Sequence, residues 1–479
     1  MAAQPDPQHR MDQNATADGF VRNPRHTLSQ VHAIAIIVGI VIGAGIFKAP
    51  SLVAGNVPSE AWLIGVWLAG GAISLVGALC YAELAMAYPH AGGDYHFLTL
   101  AYGKRLALLY AWARFAVITT GSITLLAFVF GDYMNQILPL GSQGSAIWAA
   151  LAIAGLTVIN MAGLHGSATT QSVLTAFEVL GLVLIVVAAL WLAAGHGTPP
   201  PAPSAAAVAQ LPGAASLGGL GLAMVFVLLT YGGWNEAAYI SAELKQQVSM
   251  VRVMVVSLAL ITVLYLLANW AFWFGLGHAG MAASAAVGAD LLKAAFGPAG
   301  EALLAVAVAI SALTSINATM IVGARTNYAL GRDWPQLGFL GAWDQERETP
   351  STGLLLQGGF ALLLVAVSLA FGSGFKAMVE YTAPVFWLFF LLTGIAVFVL
   401  RARDGDTNRP FRVPLYPLLP VVFCASCAYM LWSSLSYVSN QAMGGLNAAW
   451  VGVGVLLSGG VVLLLVSRTT GSTSPGAAR

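Results

Sequence analysis

Runs of about twenty apolar residues, parted by short polar or proline-bearing stretches, recur along the chain from residue 29 to residue 467. A run of that length matches the hydrocarbon core of a bilayer when coiled as an α-helix. In lipid every backbone N–H and C=O must find its partner within the chain, which leaves helices or closed barrels. Barrel strands need only about ten residues with alternating polarity, and these runs are twice as long and apolar on every face. The pattern therefore predicts an all-α membrane protein. Composition agrees: of 479 residues, 58% are hydrophobic and 8% are charged, against about 25% charged in soluble domains. A soluble enzyme and a disordered chain are excluded. Twenty basic against nineteen acidic residues provide no field for nucleic acid.

Twelve transmembrane helices are predicted, near 29–55, 61–88, 103–136, 146–163, 168–194, 217–243, 250–277, 288–330, 352–371, 376–401, 412–438 and 446–467. In the eighth, Gly297-Pro298 suggests a short external helix ahead of the true span. Basic residues set the orientation. With the N-terminus inside, sixteen Lys and Arg fall on inner segments and only Lys293 and Lys376 on outer ones, a strong positive-inside bias. Both termini, 1–28 and 468–479, are thus expected in the cytoplasm. The proline-bearing Thr198–Ser216 segment, free of charge, is expected to be an extended external loop. The polar first thirty residues show no cleavable signal, consistent with a cytoplasmic (inner) membrane.

Glycine clusters interrupt two spans. The first carries Ile42-Gly43-Ala44-Gly45-Ile46-Phe47 and the sixth carries Leu229-Thr230-Tyr231-Gly232-Gly233-Trp234-Asn235-Glu236. Small residues also serve close helix packing. Finding both clusters five spans apart favours paired broken helices, which mark the central site of a transporter built from an inverted repeat. A broken helix presents free amides at one end and free carbonyls at the other, so it suits a carboxylate and a cation together. A free amino acid carries both on one carbon.

These motifs resemble the amino acid–polyamine–organocation superfamily. Ile42–Pro50 is similar to its first-span signature, and Tyr81-Ala-Glu83-Leu with Gly92-Gly-Asp94-Tyr95 to the end of its second span. Gly232-Gly-Trp-Asn235, Asn317…Arg325…Pro335 and Arg409-Pro-Phe-Arg-Val-Pro414 resemble its L-type amino acid transporter branch. The resemblance spans roughly residues 30–435. It implies a leucine-transporter-like five-plus-five inverted repeat with helices 1 and 6 discontinuous. The ten-helix core would be 29–401, with repeats near 29–194 and 217–401, and two further helices would occupy 402–467. It also implies that the amides of Ala44 and Gly45 take the substrate carboxylate, and that the carbonyls of Ile42, Leu229 and Gly232 take the ammonium, with Gly43, Gly233 and Asn235 completing the breaks. Leu229 stands where the branch typically has a gating Phe. Glu178 stands where many relatives have a Lys tied to coupling. The branch's external cysteine between spans three and four is missing, so no obligatory disulfide-linked subunit is expected.

Glu178 sits inside an apolar run, where a carboxylate is a functional candidate by default. It is either the coupling site, for a proton or a sodium ion, or a neutral acid bonding broken backbone. Glu236, directly after the second break, meets a cationic side chain, carries a proton, or complements a half-helix dipole. The eight histidines and three cysteines form no metal-ligand spacing. No nucleophile elbow, phosphate loop or zinc-protease motif occurs, so no enzyme, cofactor or metal is expected. The sequence reads as a secondary active permease for L-amino acids, neutral ones favoured, by proton symport or exchange. Cationic amino acids or polyamines are the alternative, and a non-transporting sensor or channel of the same fold the distant one.

Overall fold

The computed structural model describes residues 30–470, apart from 91, 164–167, 199–210, 237–248, 345, 348, 370–373, 406 and 440–447. Most of the Thr198–Ser216 loop, the 1–28 tail, and Glu243 and Lys245 at the expected end of the sixth span lie outside the described residues.

Every described element is helical, and no strand forms among the described residues. In chain order they are α1 Gln30–Val41, α2 Ala49–Ala54, α3 Glu60–Ala87, α4 Gly93–Tyr102, α5 Lys104–Ala113, α6 Thr120–Ile137, α7 Gly144–Met161 and α8 Ala168–Ala193. There follow α9 Leu217–Thr230, α10 Met250–Ala283, α11 Val287–Asp333, α12 Ser351–Ser368, α13 Gly374–Arg403, α14 Leu418–Ser439 and α15 Ala448–Thr470. Among the described residues, ten helical stretches are long and apolar enough to cross a membrane. The other two expected crossings fall on α1–α2, which is interrupted, and on α15, whose described apolar part runs from Ala448 to Leu464.

Local chemistry sets several helix boundaries. Ser216 caps α9 by accepting the Gly219 N–H at 3.0 Å, and Pro50 occupies the first turn of α2, where a missing N–H costs nothing. Gly297, at φ 72°, divides α11 into a short leading helix and a long one. Outward positions such as Leu151, Val158, Leu180, Leu303 and Leu457 are large and exposed, as a lipid-facing surface requires. Inward positions are often small. A Cβ on Gly70 would lie 2.3 Å from Val227, and one on Gly71 would lie 2.5 Å from Thr262. These glycines bring α3 against α9 and α10, with dispersion and close packing supplying the attraction.

Candidate functional site

The first break follows from the end of α1. The Ile42 N–H still reaches Val38 O at 2.7 Å, and the Gly43 N–H turns back to Val41 O at 2.8 Å. Gly43 is then extended, and a single 3₁₀ turn, Ala44–Phe47, leads to α2. The second break follows α9. The Gly232 N–H bonds Leu229 O at 3.0 Å, and Gly233 adopts φ +105°, a conformation that glycine takes without strain. A short turn, Trp234–Glu236, comes next.

The fold brings the two breaks together. A Cβ on Gly45 would lie 3.7 Å from Thr230, and one on Gly233 would lie 2.8 Å from Ile40. The fully buried Tyr265 of α10 donates its hydroxyl to Val41 O at 2.8 Å and to Thr230 O at 3.2 Å. One side chain thus bonds the last turn on each side of the junction. Ile42, Gly43, Ala44 and Gly45 fall in the first break, and Leu229, Gly232, Gly233, Asn235 and Glu236 in the last turn of α9 and the turn after it. The first amides of the Ala44 turn, like those of any helix start, have no partner within the turn. Leu229 O accepts from the Gly232 N–H at 3.0 Å and from the Tyr231 N–H.

Glu178 on α8 lies beside this junction. It is 3% exposed and accepts the Ser311 hydroxyl of α11 at 2.8 Å on Oε1. Its Oε2 is buried and has no hydrogen-bond partner among the described residues. One turn away, Gly181 packs on Phe47 from the first break, with a would-be Cβ 3.5 Å from the ring. Ser315, one turn beyond Ser311, lies at Gly43, 3.5 Å from a would-be Cβ. A serine face of α11 therefore runs from the first break to Glu178. Asn317 is elsewhere: its side-chain oxygen accepts from Asn160 of α7 at 2.7 Å, not from the break.

Glu236 is paired. Arg114 Nη2 lies 3.2 and 3.3 Å from its two carboxylate oxygens. Arg114 opens a π-helical turn, Arg114–Thr119, between α5 and α6, a distortion frequent at functional sites. Its Nη1 donates to Tyr110 at 3.2 Å, whose hydroxyl donates to Asp94 at 3.4 Å. Trp234 packs edge-on to Tyr81 and Phe390 at 5.1 and 5.6 Å. At the arginine-rich end, Glu83 is 2% exposed and held by Arg401 Nε at 2.6 Å, by Arg409 and by the Val413 N–H at 2.7 Å. At the opposite end Lys48 reaches Asp132 at 2.8 Å and Ala285 O at 2.6 Å, and Tyr133 donates to Phe47 O at 2.9 Å.

Sequence reasoning placed Glu178, Glu236 and the glycines but missed Tyr265, Ser311 and the partner of Arg114. The four-residue spacing of Ser311 and Ser315 was a readable signal. A lone tyrosine in an apolar run was not.

These features define a multi-span helical membrane protein in which the break after α1 meets the end of α9. The chain belongs to the amino acid permease family, whose model matches residues 28–467. Among its relatives, the b(0,+)-type amino acid transporter 1 of Mus musculus is 28% identical over 404 residues, 81% of this chain and 78% of the relative. The human form is 27% identical over 409 residues, 84% and 81% of the two chains. The large neutral amino acids transporter small subunit 2 of Mus musculus is 29% identical over 411 residues, 85% and 75%. The family and these relatives are transporters, not enzymes.

Proposed function

We propose that the chain is a secondary active permease that moves neutral L-amino acids across the cytoplasmic membrane by alternating access. The carrying observation is the junction of the two breaks bonded by Tyr265. Free amides at Ala44 and Gly45 receive the substrate carboxylate, and the carbonyls of Ile42, Leu229 and Gly232 receive its ammonium. The fold in this reading is the leucine-transporter-like inverted repeat of twelve helices, with both termini inside. Glu178 carries the coupling proton: it is buried, beside the first break, and one oxygen has no partner among the described residues. The permease acts without a disulfide-linked subunit, although one relative is named as a small subunit. Cys80, Cys424 and Cys427 are free, with Cys80 and Cys427 buried.

A second reading, transport of cationic amino acids or polyamines, is favoured by the part-exposed carboxylate of Glu236. The test is counterflow of labelled leucine, and separately its accumulation under an imposed pH gradient, in proteoliposomes. Glu178→Gln is expected to abolish gradient-driven accumulation and keep counterflow. No counterflow with any of the twenty amino acids would sink the permease reading. Undiminished gradient-driven accumulation in Glu178→Gln would remove the coupling role alone.

A further inference from the structure

We propose that Arg114 sets the charge specificity of this site, by cancelling Glu236 at the α9 break so that side chains without net charge are taken. The inference rests on the permease reading and names its substrate class. Three observations carry it. Glu236 is fixed to the break, since its N–H bonds Gly233 O at 3.0 Å. Its side chain is 29% exposed, whereas Trp234 and Asn235 in the same turn are buried at 3% and 6%. Glu236 is therefore the carboxylate that a side chain arriving at this turn would meet. Lastly, a guanidinium whose side chain is 8% exposed stands against both of its oxygens.

The guanidinium is held from behind. The Tyr110 hydroxyl accepts a hydrogen bond from Arg114 Nη1 and donates one to Asp94. Asp94 is closed over by Tyr81 at 2.6 Å and Thr393 at 3.2 Å and is 3% exposed, out of an arriving side chain's reach. A cationic side chain would meet Glu236 with its charge already answered, and would lose hydration for no new pairing. An anionic side chain would find Arg114 shielded by Glu236. A neutral side chain pays neither cost. Three of the partners, Tyr110, Arg114 and Glu236, come from α5, the π turn and the turn after α9, so the arrangement depends on α5 and α6 packing against the break.

The experiment measures counterflow of leucine, lysine and glutamate in proteoliposomes. Arg114→Gln is expected to raise the lysine-to-leucine ratio about tenfold, the worth of one charge-assisted hydrogen bond. Glu236→Gln is expected to move selection the opposite way, lowering that ratio and admitting glutamate. The double variant should return to neutral preference, and Arg114→Lys should keep the parental ranking. An Arg114→Gln ratio within about twofold of the parent's, or a shift of the two single variants in the same direction, overturns the proposal. If Arg114→Gln fails to reach the membrane, Glu236→Gln and the double variant decide by the same signs. A parent protein that shows counterflow with none of the twenty amino acids would remove the permease reading instead.

Discussion

Tyr265→Phe deletes one oxygen from the centre of the molecule and leaves the ring where it is. The ring is fully buried, edge-on to Trp67 at 5.6 Å and against Tyr231 at 5.0 Å, so packing survives the change. The cost falls on two carbonyls. Val41 O also accepts the Gly43 N–H and stays bonded, so its loss is a net hydrogen bond, about 0.5–1.5 kcal/mol. Thr230 O has no other donor among the described residues, and an orphaned buried acceptor costs about 1–3 kcal/mol. A hydroxyl carries a single proton, so the two bonds share it and cannot both count in full. The expected destabilisation is therefore about 1–3 kcal/mol, accompanied by slower leucine counterflow. Equilibrium unfolding of the purified protein, with counterflow measured in parallel, checks both. A variant as stable and as fast as the parent would refute the view that Tyr265 holds the breaks together.

Glu83→Ala takes the carboxylate from Arg401 and from the Val413 N–H, while Arg409 keeps the carbonyls of Leu400 and Asp404, and should cost about 3–5 kcal/mol; a loss below about 1 kcal/mol would mean the cluster is a surface pair in effect. Gly131→Ala sets a Cβ 2.1 Å from the backbone oxygen of Ser145, so α6 must move off α7; about 1–3 kcal/mol of stability should be lost in the same unfolding assay. Burial, with the stacked His90 ring at 4.2 Å, lowers His96 from 6.5 to about 4. The unfolded segment therefore takes up its proton first as pH falls, so the stability of α4 is complete above about 6.5 and declines toward about 4. Amide exchange in α4, corrected for intrinsic rate, should accelerate between pH 7 and pH 5, and His96→Phe should flatten that dependence.

How much of this was readable in advance depended on the range of each interaction. The breaks were legible because the unusual backbone falls on glycine, the residue that permits it, as at Gly233. Glu178 was legible because a charge among apolar residues has few bland explanations. The Arg114–Glu236 pair was not, since its members lie 122 positions apart and no local pattern foretells a π turn. Glu83 and Arg401 are 318 positions apart, and only the folded chain decides which arginine Glu83 meets. Asn317 and Asn160 are 157 positions apart, and no local pattern names either as the other's partner. Hydrophobic periodicity says which residues leave water; it is silent on which buried polar groups find each other.

The π turn gives the Arg114 arrangement a dependence on helix length as well as on side chains. An α-helix advances about 100° per residue, and a π turn accommodates one residue beyond the ordinary count. Residues 114–119 thus cover about the rotation that one residue fewer would cover in an α-helix, and the side-chain pattern before the turn is displaced by one position from the pattern after it. Deleting one residue there would restore an uninterrupted ladder of hydrogen bonds and leave the faces of α5 and α6 where they are. A further inserted residue, with no second such turn to absorb it, would carry Arg114 about 100° around the axis relative to α6 and away from Glu236.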